Sequence, residues 1–199
     1  MVSANPLIAI TGFTTPATTT DRFNHAGSAY SYTPASLHCW QSTAPVTIIG
    51  SANRSVSFWV QSANTPANTP RAAFSWGDGS ANGANFGALE SGVVGNNTWS
   101  AWLFGTADVP TGTSVTANWE HWVIASSGNN VSTYRNTVLI NNAVLTTVGT
   151  VDSPLRIGCG ATAGGVLGNL YQGKVDDVRV FNQLLTGTEV INLYEVTKP

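Results

Sequence analysis

Short alternations of apolar and small polar residues, separated by turn residues at intervals of roughly ten positions, restrict this chain more than any other feature. Within residues 55–60, Val56, Phe58 and Val60 fall on one face of an extended strand and Trp59 falls on the other. No segment before residue 184 has the spacing of an amphipathic helix. Regularly spaced short strands of this kind predict an all-β sandwich.

The alternation predicts the following strands: 55–60, 71–76, 85–90, 99–104, 121–126, 131–135, 137–140, 155–159 and 175–181. One short helix is predicted at the end of the chain, because Thr186 and Glu189 have the spacing of a capping box and apolar residues follow at helical intervals. No linker divides the chain. We therefore expect a Thr- and Pro-rich N-terminal arm at 1–20 and one domain at 21–199.

Charge is unusually sparse in this chain. Only 9% of the residues are charged, against about 25% in an average globular protein, while 42% are hydrophobic and 7 are Trp. The surface is therefore built from Ser, Thr, Asn, Gly and Ala, as in rigid β-proteins that work outside the cytoplasm or within an assembly. A net charge of −2 without clustered Lys or Arg argues against nucleic-acid binding. No apolar run is long enough for membrane insertion.

The first six residues show no signal peptide, since a charged segment followed by an apolar stretch is missing. We therefore expect either a trimmed chain or a protein that reaches its destination without classical secretion, such as a virion component.

Cys39 and Cys159 are the only cysteines, and both lie in strand-like segments. Two buried free thiols are the favoured interpretation. A disulfide between neighbouring strands is the alternative, because its geometry depends on the fold.

Residues 173–182, Gly-Lys-Val-Asp-Asp-Val-Arg-Val-Phe-Asn, resemble the closing motif of laminin-G-like jelly-roll domains. Segments 21–24, 28–32, 55–60, 119–123, 134–136 and 155–158 resemble further motifs of that family, in the family's order. The resemblance covers about residues 20 to 196. It implies a concanavalin A-like jelly-roll sandwich of two antiparallel sheets with one short C-terminal helix. Because Thr137 rather than Gly follows Asn136, we expect the tight type I′ turn of the family's hairpin to be altered.

The resemblance also implies a metal site, since many relatives hold one structural Ca²⁺ ion. The matching carboxylate is Asp176, with Asp21 and the main-chain carbonyls around Asn24 and Gly27 as companions. Oxygen ligands of this kind suit Ca²⁺. The alternative is that Asp176 and Asp177 alternate across the strand, with one accepting hydrogen bonds from a loop and the other paired with Arg179.

Glycoside hydrolases share this fold and use paired carboxylates, commonly as Glu-x-Asp-x-x-Glu on one strand. None of the glutamates at 90, 120, 189 and 195 is followed by an acidic residue two positions on. His121, beside Glu120, is expected to bond within the sandwich. A glycoside hydrolase or lyase is therefore the distant alternative.

Sugar binding requires exposed aromatic faces beside amides or carboxylates that bond to hydroxyl groups. Trp76, Asp78, Asn82 and Asn85 supply this mixture around a predicted turn, and Trp99 supplies a second aromatic side chain. The competing interpretation for any single Trp is burial in the core.

The sequence thus predicts a non-catalytic, surface-displayed binding module that recognises glycans or a protein partner through its loops, at an extracellular or virion surface. The alternative is a structural decoration or fibre-associated protein of a virus or phage particle, with capsid or other assembly proteins as partners and a homo-oligomeric state. The fold alone does not separate the two.

Overall fold

The computed structural model describes residues 6–63, 69–93 and 96–199. Among these residues the strands, in chain order, are β1 (Leu7–Ala9), β2 (Ala17–Thr19), β3 (Ala29–Tyr32), β4 (Trp40–Val46), β5 (Arg54–Ser62), β6 (Arg71–Gly77), β7 (Asn85–Val93), β8 (Asn96–Trp102), β9 (Val109–Ser114), β10 (Glu120–Ser127), β11 (Asn130–Arg135), β12 (Val138–Val144), β13 (Ser153–Ile157), β14 (Gly160–Ala161), β15 (Leu167–Gly168) and β16 (Gly173–Phe181). One α-helix of the described chain, α1 (Gly187–Thr197), follows them.

Two large antiparallel sheets form the sandwich. In the described chain the first sheet has the order β1-β4-β13-β6-β7-β8-β9 and the second has the order β12-β11-β10-β5-β16-β3-β2. β14 and β15 form a separate two-stranded sheet, and β14 contacts β6 of the first sheet. The predicted fold class, a two-sheet jelly roll with one C-terminal helix, is confirmed.

Aromatic side chains fill the space between the sheets. Phe58 of the second sheet meets Phe74 of the first with ring centroids 5.0 Å apart, and Trp99 lies 5.8 Å from Trp122. All four are buried. Each such side chain contributes up to about 3 kcal/mol through its removal from water, so the aromatic content of the sequence supplies the core.

The strands predicted from alternation all coincide with observed strands, although their ends shift by a few residues. Alternation does not predict the short strands β1, β2, β3, β14 and β15, and it does not predict β4 or β9, which Pro45 and Pro110 interrupt. Proline cannot donate to a sheet ladder, so it is tolerated where no partner requires an N–H. β9 is an edge strand, and Pro45 faces Pro154 at an irregularity in the pairing of β4 with β13.

The segment predicted as an N-terminal arm adds one edge strand to each sheet. β1 pairs with β4, and β2 pairs with β3, while the side chains of β1 stay exposed. Residues 6–20 are thus tied to the sandwich through main-chain hydrogen bonds. Residues 1–5 of the predicted arm lie outside the described chain.

The hairpin between β11 and β12 keeps the turn that we expected to be altered. Arg135 pairs with Val138, so Asn136 and Thr137 form a two-residue loop, with φ angles of 45° and 76°. Positive φ at both positions is the requirement of a type I′ turn. The expectation was wrong because the hairpin imposes this conformation on a β-branched residue, which rarely adopts it. The Asn136 Oδ1 atom accepts the N–H of His121 at 2.9 Å.

The C-terminal helix begins as predicted. The N–H of Glu189 donates to Thr186 Oγ1 at 3.3 Å, and the N–H of Thr186 donates to Glu189 Oε2 at 2.7 Å, which completes the capping box. Val190 then packs with Val123 and Phe181 on the outer face of the second sheet. No helix in the described part of the chain has the length and apolar character needed to cross a membrane.

Cys39 and Cys159 form a disulfide, so the favoured interpretation of two free thiols was wrong. Cys39 immediately precedes β4 and Cys159 follows β13, and these two strands are neighbours in the first sheet. The topology therefore brings together two cysteines that are 120 positions apart in the sequence. The alternative, a disulfide between neighbouring strands, is confirmed.

Candidate functional site

Three of the five side chains predicted to bind a sugar are buried. Trp76 is 0% exposed and Trp99 is 2% exposed, because both point from the first sheet into the sandwich. Asn85 is also buried, and its Nδ2 atom donates to the main-chain oxygen of Trp102 at 3.0 Å. Side chains enclosed in this way cannot contact a ligand at the surface. Their place in the predicted site is therefore corrected: they support the fold.

The other two predicted residues lie in the turn between β6 and β7, at the surface. Asp78 Oδ1 accepts the backbone N–H of Ser80 at 2.8 Å and also the Ser80 hydroxyl. Asn82 is exposed; its Nδ2 atom donates to Thr106 Oγ1 at 3.0 Å, and its Oδ1 atom accepts the Thr106 N–H at 3.4 Å. We call Asp78, Ser80, Asn82 and Thr106 the polar turn.

Two glycines allow this turn to fold tightly. Gly77 has a φ of 89°, and a Cβ atom there would lie 2.2 Å from the main-chain oxygen of Ala84. A Cβ atom on Gly79 would lie 2.6 Å from the main chain of Thr162 and 2.7 Å from the ring of Phe104. Only glycine fits such close backbone approaches. The polar turn is thereby held against both Phe104 and the segment that leads from β14 to β15.

Phe104 beside the polar turn has a strained backbone. Its φ is 79°, a conformation that a bulky residue rarely adopts. Asp108 holds it there, since Asp108 Oδ1 accepts the N–H of Leu103 at 3.0 Å and that of Phe104 at 2.7 Å. Burial raises the pKa of Asp108 to about 6, although both N–H groups act to lower it. Strain of this kind clusters at ligand-binding sites.

The polar turn and Phe104 together offer fixed hydrogen-bonding groups beside a half-buried aromatic ring. Asp78 Oδ2 has no hydrogen bond to the residues that the structure describes, while the Asp78 carboxylate interacts electrostatically with Arg156. The amide of Asn82 uses one hydrogen and one lone pair within the turn and keeps the others. Such a surface suits a ligand rich in hydroxyl groups. Sequence reasoning identified Asp78 and Asn82 but missed Phe104 and Thr106, because no local pattern marks a positive φ at a phenylalanine.

The two carboxylates predicted to bind calcium, Asp21 and Asp176, interact electrostatically, and Asp176 is paired with a cation of the protein. The guanidinium group of Arg22 forms an ion pair with Asp176 and a second one, at 3.1 Å, with Asp177. Asp21 Oδ1 accepts two backbone N–H groups at 2.8 Å, and Asn24 and Gly27 supply positive φ angles in the turn that follows Asp21. Within the described chain no three His, Cys, Asp or Glu side chains are arranged to hold a metal ion. Arg22 thus already pairs with the principal predicted carboxylate, Asp176, and calcium binding by these residues stays a prediction.

Arg22 also ties the opening segment to the end of α1. Its Nε atom donates to the main-chain oxygen of Thr197 at 2.5 Å, and its guanidinium carbon lies 5.0 Å from the centre of the Trp59 ring. We call Arg22, Asp176, Asp177 and Thr197 the Arg22 cluster. Only 7% of the Arg22 side chain is exposed. Burial raises the pKa of Asp176, an effect that Arg22 opposes. Asp177 pairs in addition with Arg179, at 2.6 Å, as the alternative to a metal site predicted.

Residues 17–191 match the family model of the concanavalin A-like lectin/glucanases superfamily, Laminin_G_3. This chain belongs to that superfamily. A comparison with curated proteins finds no match.

Solved structures from the same structural class resemble this superfamily member along most of its length. Domain 4 of AbnA, a GH43 extracellular arabinanase from Geobacillus stearothermophilus solved with arabinotriose, superposes with a TM-score of 0.60 at 18% identity, over 89% of this chain and 86% of that one. The CBM40 domain of the Ruminococcus gnavus IT-sialidase superposes with a TM-score of 0.55 at 12% identity, over 72% of this chain and 83% of that one. The same domain bound to α2,3-sialyllactose gives 0.52 at 14% identity, over 72% and 83% of the two chains. At these identities the likeness shows the fold.

Because the superfamily includes glucanases, the placement of the glutamates bears on catalysis. Each of the four has a partner within the protein: Glu90 pairs with Arg71 at 3.6 Å, Glu120 with Arg135, Glu195 with Lys198 at 2.6 Å, and Glu189 completes the capping box. Glu90 and Glu120 are buried. No hydrogen bond in the described chain joins any of the four to the polar turn.

His121 bonds within the sandwich, as predicted for this superfamily member. Its Nε2 atom lies 2.8 Å from Ser57 Oγ, and its ring packs against both Trp59 and Tyr194 beneath α1. Burial lowers the pKa of His121 to about 4, which keeps the ring neutral. His121 therefore serves the packing of α1.

Proposed function

We propose that this protein is a non-catalytic glycan-binding module displayed at an extracellular surface, and that the polar turn is its contact surface. The observation that carries the proposal is the set formed by the half-buried Asp78 and the exposed Ser80 and Asn82, whose side chains are fixed by hydrogen bonds beside Phe104. Preorganised polar groups lose little conformational freedom when a ligand binds. Sugar hydroxyl groups both donate and accept hydrogen bonds, as these side chains do.

The related structures support the class of ligand. A domain of an arabinanase was solved with arabinotriose, and a CBM40 domain was solved with α2,3-sialyllactose. Both share the sandwich with this chain at less than 20% identity. They support an oligosaccharide as the partner, while the choice of sugar depends on side chains that differ between the proteins.

Surface chemistry and the disulfide support the location. A surface with few charges and many hydroxyl and amide groups matches an uncharged glycan better than a charged polymer. The disulfide between Cys39 and Cys159 forms and persists in oxidising compartments, which include the extracellular space. The engagement of all four glutamates within the fold argues against a glutamate pair for glycoside hydrolysis and so supports a binding role.

A glycan array combined with size-exclusion chromatography tests the proposal. We expect saturable binding to a limited group of oligosaccharides by a protein that elutes as a defined species. Failure of every glycan to bind, together with elution as a regular multimer, would reject the proposal and favour a structural decoration of a virus or phage particle. Release of reducing sugar from a bound glycan would instead contradict the non-catalytic part.

A further inference from the structure

A cleft lies between the two sheets, on the side of the sandwich where β3 and β16 face β4 and β13. Its volume is about 310 Å³. We call it the intersheet cleft; apolar side chains that line it include Tyr30, Val46, Leu155, Val178 and Val180. Binding sites for small molecules occupy roughly 300–1,000 Å³ and are lined mainly by apolar groups, so the cleft has the size of a small one.

Strand pairing is irregular in both walls of the cleft. β16 pairs with β3 only from Gly173 to Val175, and its register with β5 shifts between Asp176 and Arg179. This shift places Val178 and Val180 at the cleft without a neighbouring strand on the β3 side. In the opposite wall the pairing of β13 with β4 shifts between Pro154 and Arg156, around Leu155. Such bulges re-aim side chains and are treated as built features of a sheet.

Two tyrosine side chains, Tyr30 and Tyr32, line the cleft, and Tyr30 lies at its outer part. Tyr30 is 37% exposed and packs edge-on against Trp40, with ring centroids 6.1 Å apart. Its hydroxyl group has no hydrogen bond to the described residues. Tyr32, deeper in the same strand, is buried and packs edge-on against Tyr171 at 6.4 Å. Aromatic side chains give a ligand large contact areas with little loss of side-chain freedom.

Charge at the cleft decides the class of molecule that fits. Asp176 and Asp177 contribute to the lining, and none of the described lining residues is Lys, Arg or His. Both carboxylates are engaged by arginine side chains of the protein, Asp176 by Arg22 and Asp177 by Arg22 and Arg179. Because these charges already compensate one another, an apolar molecule with a charged group of its own would find no unpaired counter-ion in the lining, so burial of its charge would be unfavourable.

We propose that the intersheet cleft binds an uncharged, predominantly apolar small molecule. The site shares no residue with the polar turn, so this function is separate from glycan binding and does not depend on it. Apolar side chains from both sheets would enclose the molecule, and the Tyr30 hydroxyl could donate one hydrogen bond at the outer part.

Two fluorescent dyes that differ by one charged group test the proposal. Phenylnaphthylamine is uncharged, and anilinonaphthalene sulfonate is the same ring system with a sulfonate. We expect the uncharged dye to bind saturably at one site and the sulfonate to bind at least about tenfold more weakly, since only the sulfonate brings an unpaired anion to the cleft. Equal affinities, or fluorescence that rises without saturation, would overturn the proposal.

A pair of tryptophan substitutions locates the site. Val178→Trp fills the cleft and is expected to weaken binding of the uncharged dye at least about tenfold. Val144→Trp is the matched control, because Val144 is 81% exposed on the edge strand β12 and does not line the cleft. This variant should bind the uncharged dye as the unmodified protein does. Undiminished binding to a Val178→Trp variant with a native circular dichroism spectrum would contradict the assignment.

Leu7→Lys provides a second test that does not disturb the core, since Leu7 is an exposed residue of β1 that lines the cleft. The added cation should strengthen binding of the sulfonate dye by about tenfold relative to the uncharged dye. If the ratio of the two affinities stays as in the unmodified protein, the proposal fails even where Val178→Trp does not fold.

Discussion

The polar turn and the Arg22 cluster are both built around aspartates, and they differ in their access to water. In the polar turn, Asp78 bonds to Ser80 two positions away, and its second oxygen has no hydrogen bond to the described residues. In the Arg22 cluster, Asp176 bonds to a residue 154 positions away and is largely buried. An aspartate that keeps contact with water remains available to a ligand. A buried aspartate must be paired, and its partner then fixes distant parts of the chain to each other.

The two regions should therefore respond differently to substitution. Hydrogen bonds at an exposed turn each contribute about 1 kcal/mol or less to stability. Removal of one partner from a buried ion pair costs about 3–5 kcal/mol, because it leaves a charge without compensation. Changes in the Arg22 cluster should act on folding, and changes in the polar turn should act on binding.

The largest effect is expected from Arg22→Met. This substitution keeps much of the side-chain volume but leaves Asp176 without its partner and Thr197 without a donor. We expect the free energy of unfolding, measured by urea denaturation, to fall by about 3 kcal/mol.

Arg179→Met is the matched control for Arg22→Met. Arg179 pairs with Asp177, but 29% of its side chain is exposed, so its loss should cost less than about 1 kcal/mol. Equal losses from the two variants would show that Arg22 acts as an ordinary surface residue.

A smaller effect, dependent on pH, is expected at Asp108, the carboxylate that supports the polar turn through Phe104. Burial raises the pKa of folded Asp108 from 3.8 to about 6, so ionisation in this range destabilises the folded protein relative to the unfolded chain. Asp108→Asn keeps an oxygen that can accept both N–H groups and removes the ionisation. The stability of the variant relative to the unmodified protein should therefore increase between pH 4 and pH 6.5, by the order of 2 kcal/mol.

Urea denaturation across this pH range measures the Asp108 effect. Asp152→Asn, at an exposed carboxylate, serves as the control and should show no such trend relative to the unmodified protein. A stability difference for Asp108→Asn that is independent of pH would contradict the raised pKa.

At the polar turn the expected effect is on binding alone. Asn82→Ala removes an amide that is fixed by Thr106 and exposed to solvent, so affinity for the glycans identified on the array should fall about tenfold, as measured by calorimetry. The free energy of unfolding should change by less than about 1 kcal/mol. Asn129→Ala, which removes an exposed amide from the turn between β10 and β11, should bind as the unmodified protein does. Unchanged affinity in Asn82→Ala would place the glycan elsewhere.

The fold could be predicted because its evidence is local. Alternation in residues 55–60 and the spacing of Thr186 and Glu189 act over a few positions, and both appear in the structure as predicted. Whether a tryptophan is exposed or buried could not be predicted in this way. Trp76 lies next to a turn, as a sugar-binding residue would, yet it is the last inward-pointing residue of β6. Sequence position does not distinguish the two cases, because the opposite sheet that covers Trp76 comes from other parts of the chain.

Contacts between residues far apart in the chain could not be predicted from the sequence either. Arg22, between β2 and β3, reaches Asp176 of β16 because β3 and β16 are neighbours. Cys39 reaches Cys159 because β4 and β13, which they flank, are neighbours. The resemblance to calcium-binding relatives identified Asp176 as a residue that requires a cation. It did not identify which cation, since the choice between a metal ion and a guanidinium group depends on where the Arg22 side chain lies.

The smallest effect, and the one that separates these two cations, concerns calcium. Because Arg22 already neutralises Asp176, we expect the thermal midpoint of the unmodified protein to be the same, within about 1 °C, in calcium and in chelator. A site saturated to about 100 times its Kd would instead add about 2.7 kcal/mol and shift the midpoint by several degrees. If calcium raises the midpoint and Asp176→Asn abolishes the rise, then Arg22 yields its place to the metal. In that case the Arg22 cluster is a binding site for calcium.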